Sequence, residues 1–496
     1  SAIGATNATN LVADKTIEWL RGYDLYSDLR SREYVKDGVT TYKRLGDVIH
    51  STPVAVGTPA ENYDLYWRDF TYSAFYRKYK KRRQVVYFGG NDGMLHAVNA
   101  GFFNPSETKF YKHYNPDTGD YSNDQGLDLG AELWAYVPYN LLPHLDCLTN
   151  PEYEHKYYVD LHPRVFDVRI FPNSTTHPNG WGTIMVCGMR FGGGYVHADG
   201  RDFASSYMIF DITDPESEPR LLGEVTYDYD DSSKVKLGYT MSVPSVVPTE
   251  TGGGTQKWFL MLGSGPDAGD ISLTNAASTQ KARIAMIPLN TLISDNLSLR
   301  IPDVAPTETT IGRQEHPEQD SYVGTEFVSV DYDLDFKSDL FYYGLVQGPD
   351  NKDVWGGTMY RLRVEPKQNS NNLADPSGWS QKKVIDTGKP ITGGPNVGFY
   401  QGDAWVYFGT GRFLTADDSR DTEDQYFFGI REPKTSDGGY NYNTLSVNYS
   451  NPGTSWVDAT DILVDVDTGD LSCVGGGTDC LPDNGAVDTF GKLHDY

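Results

Sequence analysis

Four carboxylates, Asp331, Asp333, Asp335 and Asp339, fall within one short stretch, separated by Tyr332, Leu334, Phe336, Lys337 and Ser338. Carboxylates at positions 1, 3, 5 and 9 of a curled loop can converge on one hard cation, and the backbone carbonyl of Lys337 at position 7 would add a fifth oxygen. Ca2+, which takes six to eight oxygens in flexible geometry, fits that donor set. The pattern is not an EF-hand, because Phe336 stands where Gly makes the sharp turn and Tyr342 where Glu closes the loop. A second reading is open. Val328, Val330, Tyr332, Leu334 and Phe336 alternate with Ser329, Asp331, Asp333 and Asp335, as on a half-buried strand with an acidic face. Side chains two apart on such a strand stand roughly 7 Å from each other, and a row of like charges there gains nothing. Asp339 follows where a calcium loop takes its next ligand.

Other chemistry is sparse. Asp465, Asp467 and Asp470 around Gly469 read as a solvated turn, and Asp228, Asp230 and Asp231 as acidic surface. His96 follows an Asn91-Asp92-Gly93 hairpin turn and reads as part of a packed strand rather than as a catalyst. The sequence contains no GxSxG elbow, HExxH, Walker loop or GxGxxG, and no RGD tripeptide. Of four cysteines, Cys473 and Cys480 enclose a short loop and are the better disulfide pair than any involving Cys147 or Cys187. No CxxC or CxxCH occurs. The basic run Arg77, Lys78, Lys80, Lys81, Arg82 and Arg83 reads as a solvated segment before a strand, with a docking patch for an acidic surface as the alternative.

These residues must be positioned by many short strands. The 496 residues include 51 Gly, 27 Pro, 35 Tyr and 21 Phe, the mixture of tight turns and pleated aromatic surfaces typical of all-β folds. Residues 8–21 are the best helix, with Val12, Thr16, Trp19 and Leu20 on one face, Asn10 at the cap and Gly22 past the end. Thereafter one unit recurs: a Ser/Gly-x-Pro segment paired with an aromatic strand that ends in glycines. Five copies start near Arg44, Trp181, Leu237, Gly324 and Ile391. Each supplies about four strands, as a propeller blade does, and blade length leaves room for about seven. The expected class is all-β, a modified β-propeller with loop insertions at Asn104–Asp128 and Pro366–Gln381 and a short N-terminal helix. The expected domains are 1–40 (helix and lead-in), 41–433 (propeller) and 434–496 (loop-rich extension). A net charge of −26 makes nucleic acid a poor partner. No apolar run is long enough for a transmembrane helix. A start at Ser1 without a signal peptide reads as a mature fragment whose leader and N-terminal domain lie outside the sequence.

RLGDVIHSTPVAVG (44–57), VVYFGGNDGMLHAVNAG (85–101), LWAYVP (133–138), GWGTIMVCGMRFGGGY (180–195), YMIFDIT (207–213), the acidic loop, GGTMYRL (356–362) and WVYFGTGRFLTADD (405–418) occur in this order. The chain thereby resembles, over residues 8–432, the C-terminal domain of the PilC/PilY family of type IV pilus tip-associated adhesins and biogenesis factors. The resemblance implies an extracellular propeller at the pilus tip or outer surface, working with minor pilins and a host or surface receptor. It also implies a calcium loop that controls pilus extension against retraction, at Asp331, Asp333, Asp335, Lys337 and Asp339. Family loops carry Gly where this chain has Phe336, which bears on affinity more than on ligand identity. Two other classes compete. VYFGGNDGMLHAVNA looks like the repeats of propeller quinoprotein dehydrogenases, although adjacent cysteines and tryptophan-docking repeats are absent. Aromatic-rich loops would also suit a surface lectin without pilus regulation.

Overall fold

The computed structural model describes residues 7–226, 237–250, 256–267, 276–293, 312–315, 320–332, 338–349, 355–365, 375–400, 402–434 and 440, together with the strand pieces 447–448, 462–464 and 471–473. The described chain divides into a large unit, Ser1–Leu445, and a small one, Ser446–Tyr496. In the small unit Ile462–Val464 pairs antiparallel with Leu471–Cys473. Asp465, Asp467, Asp470 and Cys480 lie outside the described residues, as do Asp228, Asp230 and Asp231.

The large unit opens with a helix at Asn7–Leu20. Asn10, expected to cap it, lies inside it. Thr16 and Trp19 are buried, but Val12 is exposed, so the buried stripe is narrower than expected. The helix stops because Gly22 takes a positive φ of 93°. Tyr23 N–H then donates to Glu18 O at 3.0 Å and Gly22 N–H to Trp19 O at 2.9 Å, a Schellman closure.

Five antiparallel sheets of three or more strands stand among the described residues, one for each recurring unit. The first is built on Val54–Val56, Gln84–Gly89 and Leu95–Asn104, joined by Glu132–Tyr136. The second orders Arg164–Arg169, Trp181–Gly188, Ser206–Asp211 and Arg220–Thr226. The third orders Ser245–Glu250, Gln256–Gly263, Arg283–Pro288 and Gly312–Glu315. In the fourth, Ser321–Val323 and Val328–Val330 both pair with Leu340–Gln347, followed by Gly356–Arg363 and Ser380–Asp386. The fifth has Asn396–Tyr400, Asp403–Gly409 and Phe427–Arg431. The further blades expected from length alone have no counterpart among the described residues. The expected insertion at Pro366–Gln381 runs into the outer strand of the fourth sheet. Asn104–Asp128 is an insertion, and it carries short strands at Lys109–Tyr111, His113–Tyr114 and Tyr121–Ser122.

Strand alternation explains how the sheets stack. Every residue of Trp181–Gly188 is buried, because both faces of the strand meet another sheet. Ile184 and Val186 pack with Trp258, Leu260 and Leu262 of the third sheet. Met185 and Cys187 pack with Val85, Tyr87 and Leu95 of the first. Phe259 and Met261 then turn to Phe341, Tyr343 and Leu345 of the fourth. Each fully buried side chain of this size contributes about 1.5–3 kcal/mol, so these interleaved rows dominate the fold.

Glycines of the aromatic strands, Gly89 at the end of Gln84–Gly89 and Gly344 within Leu340–Gln347, have a specific task. A Cβ on Gly89 would stand 2.2 Å from Val159 O, and one on Gly344 would stand 2.4 Å from Ile391 Cγ2. Hydroxyls of the Ser/Thr segments bind the same places: Gly89 N–H donates to Ser51 Oγ at 2.7 Å and Gly344 N–H to Thr325 Oγ1 at 2.9 Å. The recurring sequence unit is therefore the record of one hydroxyl-to-glycine N–H contact repeated in the first and fourth sheets.

One element went unread in the sequence. Between the first two strands of the first sheet the chain forms a helix at Tyr72–Tyr79, whose Tyr72, Phe75 and Tyr79 are buried. Tyr63 and Tyr72 hold Trp181 between them, with ring centroids at 5.1 and 5.0 Å. The i, i+3, i+7 spacing of those aromatics was the available signal. The basic run that follows is not uniformly solvated. Arg83 turns inward to Asn99 Oδ1 (2.8 Å) and, through two nitrogens, to Glu216 (2.7 and 3.0 Å). Arg82 donates to Thr183 Oγ1 and Thr213 O, both at 2.9 Å. Arg77, Lys78, Lys80 and Lys81 remain exposed.

Candidate functional site

The acidic stretch joins two strands of the fourth sheet. Val328–Val330 pairs with Leu340–Gln347 in a register that sets Val330 opposite Leu340. Among the described residues the strand ends at Val330, and Asp331 follows it rather than lines it. Asp331 and Asp339 stand at the two ends of this connection. Asp333, Asp335 and Lys337, with Phe336, lie outside the described residues.

The neck is well tied. Asp339 N–H donates to Val330 O at 2.9 Å, and Asp339 O accepts from Val364 N–H at 2.8 Å. Asp339 Oδ2 accepts the N–H of Tyr332 at 2.7 Å. The Ser329 and Ser338 hydroxyls meet at 2.6 Å. Asp331 and Asp339 are both half-buried at the two ends of the connection.

Tyr332, the second residue of the stretch, points away from solvent. Its hydroxyl lies 2.5 Å from that of Tyr342. Tyr342 donates to Glu432 Oε1, and Arg361 Nη1 donates to Glu432 Oε2. Arg361 and Glu432 are fully buried and paired with each other. The Tyr332 ring also meets Phe399 at 5.6 Å and Tyr440 at 4.5 Å. The seam between the fourth and fifth sheets is therefore polar. Sequence inspection missed Tyr332, Tyr342, Arg361 and Glu432, because nothing in their spacing announces that they meet.

The second cluster forms around the Asn-Asp-Gly turn. Gly89 pairs with Leu95, so residues 90–94 make the turn, with Gly93 at φ 92°. Asp92 Oδ2 accepts Gly46 N–H at 2.7 Å, and Asn91 N–H donates to Asp47 O at 3.1 Å. His96, nearly fully buried, places Nε2 3.1 Å from Asp92 Oδ1 and Nδ1 2.7 Å from Glu132 Oε1. Burial works against a charged imidazole here, but the hydrogen bonds and charges of Asp92 and Glu132 outweigh it and lift its pKa to about 9. His96 sits on the packed strand Leu95–Asn104, as the sequence reading expected, and its two carboxylate contacts clamp the turn. His50 makes a parallel contact upstream: its N–H and Nδ1 both reach Asp160, at 3.0 and 2.6 Å. The two sequence blocks that best carry the resemblance, GDVIHSTP and NDGMLHA, thus bind each other.

Cys187 is buried and unpaired, and burial holds its thiol well above the usual range, so it is inert. Cys147 is also a free thiol. Among the described residues no group of three or more His, Cys, Asp or Glu side chains is arranged to hold a metal ion. No helix among them is long and apolar enough to cross a membrane.

Comparison with known proteins agrees with this architecture. A type IV pilus biogenesis factor PilY1 homolog of Xylella fastidiosa is 27% identical over 409 residues, covering 78% of this chain and 22% of that protein. Type IV pilus biogenesis factor PilY1 of Pseudomonas aeruginosa strain PAK is 26% identical over 422 residues, covering 82% of this chain and 30% of that protein. The chain spans less than a third of the length of these relatives. The crystal structure of the Pseudomonas aeruginosa PilY1 C-terminal domain aligns at 20% identity with a TM-score of 0.48, over 79% of this chain and 64% of that one. Residues 45–444 match the family model of the PilY1 beta-propeller domain, and the chain belongs to that family.

Proposed function

We propose that this chain is the propeller portion of a type IV pilus biogenesis factor, and that it acts at the pilus tip or cell surface as a calcium-responsive assembly and adhesion component. The family match across residues 45–444 carries the pilus reading. Minor pilins are the expected assembly partners, and a host or surface receptor is the expected adhesive one. The work is binding rather than catalysis. Within the stretch 86–100 that prompted the quinoprotein reading, Asn91, Asp92 and His96 are engaged in the turn and its clamp.

The donor chemistry of the acidic stretch supports calcium. Asp331, Asp333, Asp335 and Asp339 would supply side-chain oxygens and Lys337 a carbonyl. Brought together, four carboxylates repel one another, and a bound divalent cation neutralises that repulsion and orders the surface they support. Asp339 stands ready at the neck, fixed by its backbone and by Tyr332 N–H.

Isothermal calorimetry with Ca2+ on the intact chain tests the site, and twitching and piliation assays test its role. Wild type is expected to bind Ca2+, and Asp331→Ala to bind it at least tenfold more weakly with altered piliation. An absence of binding by wild type, together with normal piliation and twitching in Asp331→Ala, sinks the reading.

A further inference from the structure

The segment between the first two strands of the first sheet, residues 57–83, presents a surface that the pilus reading does not use. Its helix at Tyr72–Tyr79 is firmly seated. Tyr72, Phe75 and Tyr79 are buried, Tyr79 O–H donates to Thr176 O at 2.7 Å, and Lys78 Nζ donates to Thr175 O. What faces outward has a narrow composition. Leu65, Tyr66 and Phe70 are 69%, 60% and 75% exposed, and Tyr76 is exposed as well. Every other exposed position from Leu65 to Lys81 is a cation: Arg68, Arg77, Lys78, Lys80 and Lys81. The two carboxylates of the stretch are half-buried and engaged. Asp69 accepts from Thr71 N–H at 3.1 Å and from Arg169 at 3.0 Å. Asp64 accepts from Ser73 O–H at 2.7 Å. That last tie sets the turn at Tyr63–Tyr66 beside the helix face carrying Ser73, Tyr76, Arg77 and Lys80, which recur at helical spacing.

We infer that this face docks on an anionic lipid layer, with Leu65, Tyr66 and Phe70 entering the boundary between headgroups and acyl chains and Arg77 and Lys80 meeting headgroup phosphates. Charge complementarity points there. The chain carries a net charge of −26, so a stretch with five exposed cations and no exposed carboxylate is a local reversal. Lys81 lies over the Tyr114 ring at 4.9 Å and Lys78 is held by Thr175, which leaves Arg77 and Lys80 on the open helix face. Apolar side chains this exposed stand proud of their neighbours rather than line a groove. A rigid protein partner would need a pocket for each, whereas a lipid layer deforms around them. Aromatic and aliphatic tips flanked by Arg and Lys are the composition that settles at a membrane interface, the cations reaching headgroups along their apolar stems. The acidic remainder of the surface is repelled by the same layer, so this face alone approaches within the Debye length of about 8 Å. Tyr72 is already packed on Trp181, so the helix is formed before it binds and little ordering cost remains. This docking owes nothing to the acidic connection in the fourth sheet.

The test is sedimentation of the full chain, with EDTA present, on vesicles of phosphatidylethanolamine mixed with phosphatidylglycerol or, as the uncharged counterpart, with phosphatidylcholine. Arg77→Gln with Lys80→Gln removes the two open cations, and Leu65→Ser with Phe70→Ser removes two apolar tips. Lys257→Gln with Lys382→Gln, on strands of the third and fourth sheets, makes the same change in net charge elsewhere and serves as control. All six side chains are exposed, so the fold is not at stake. Wild type and the control are expected to bind the phosphatidylglycerol vesicles, less so as salt rises, and to ignore the uncharged ones. Loss of Arg77 and Lys80 is expected to weaken binding roughly thirtyfold, about fivefold for each cation near an anionic surface. Loss of Leu65 and Phe70 is expected to weaken it by about tenfold or more. Wild type that ignores the phosphatidylglycerol vesicles, or paired variants that bind them as the control does, would overturn the assignment. Binding of wild type to immobilised polyglutamate but not to the vesicles would also overturn it, and would give the face to an acidic polypeptide.

Discussion

Replacing His96 by Gln would turn the clamp at the Asn-Asp-Gly turn into a pH-dependent measurement. The imidazole lies between Asp92 and Glu132, and its pKa in the folded chain is about 9. In the unfolded chain a histidine titrates near about 6.5. Below the unfolded value both states are protonated, and the folded state holds the full benefit of the two ion pairs. As pH rises through the folded value the proton is lost from the native state too, and the benefit disappears. The difference, at about 1.36 kcal/mol per pKa unit, amounts to roughly 3 kcal/mol. Glutamine keeps an amide donor but cannot carry the charge, so it keeps the shape of the site and loses the titration. Urea unfolding followed by tryptophan fluorescence, at steps from pH 6 to pH 9.5, gives the stability gap between wild type and His96→Gln at each pH. The gap should be widest at pH 6 and narrow by about 3 kcal/mol toward pH 9.5. Residual packing differences shift the whole curve without changing its slope. A flat gap across that range would refute a charged His96.

Glu61 offers the opposite case. Burial, and next the Asp167 charge, raise its pKa to about 7, so ionising it above pH 4.5 costs stability in the folded state. Glu61→Gln should therefore stabilise the chain by roughly 2 kcal/mol at pH 8, allowing for partial exposure, and hardly at all at pH 4.5, as read by urea midpoints. Gly89→Ala should be strongly destabilising, by about 2–4 kcal/mol, because the new Cβ meets Val159 O at 2.2 Å; the same change at Gly388, where nothing lies within 4 Å, should cost only its positive-φ strain. Glu432→Gln leaves the Arg361 guanidinium buried without its countercharge and should cost about 3–5 kcal/mol in thermal or urea unfolding. The paired change Arg361→Met with Glu432→Leu should cost much less, and equal losses for the two would show that the charge is not what matters.

Much of the fold was legible because its repeating unit is local. A Ser/Thr-containing segment and the glycine strand that follows it within the same unit mark the pairing of Gly89 with Ser51 and of Gly344 with Thr325 alike. The helix at Tyr72–Tyr79 was equally local yet was masked by the basic residues interleaved with its aromatics. Those basic residues also misled: charge alone does not say that Arg82 and Arg83 will turn inward, since their partners Thr213 and Glu216 are distant in sequence. The end of the strand at Val330 was hidden for a similar reason. Alternation in Val328–Phe336 was as good as any strand, and what stops it is the tie of Asp339 to Val330 O and to Val364 N–H, which no pattern within the segment encodes.

The acidic site divides along the same line, and the division bears on how it works. The proposed ligand set is read from the spacing of Asp331 to Asp339, since donors on one short loop can converge on one ion. The hydroxyl and ion-pair contacts around Tyr332 come from two other strands and from residue 432. The four earliest sheets meet chiefly through interleaved hydrophobic rows, with buried polar contacts set among them, such as Tyr136 O–H to Glu224 between the first and second sheets. The seam with the fifth sheet instead rests on one buried ion pair and the hydroxyls leading to it. Hydrophobic contact falls off gradually as surfaces part, whereas a buried ion pair loses its geometry and its compensation together. A seam of that kind responds steeply to a small movement at its edge. The edge here is Tyr332, between two of the carboxylates whose mutual repulsion a divalent cation would relieve.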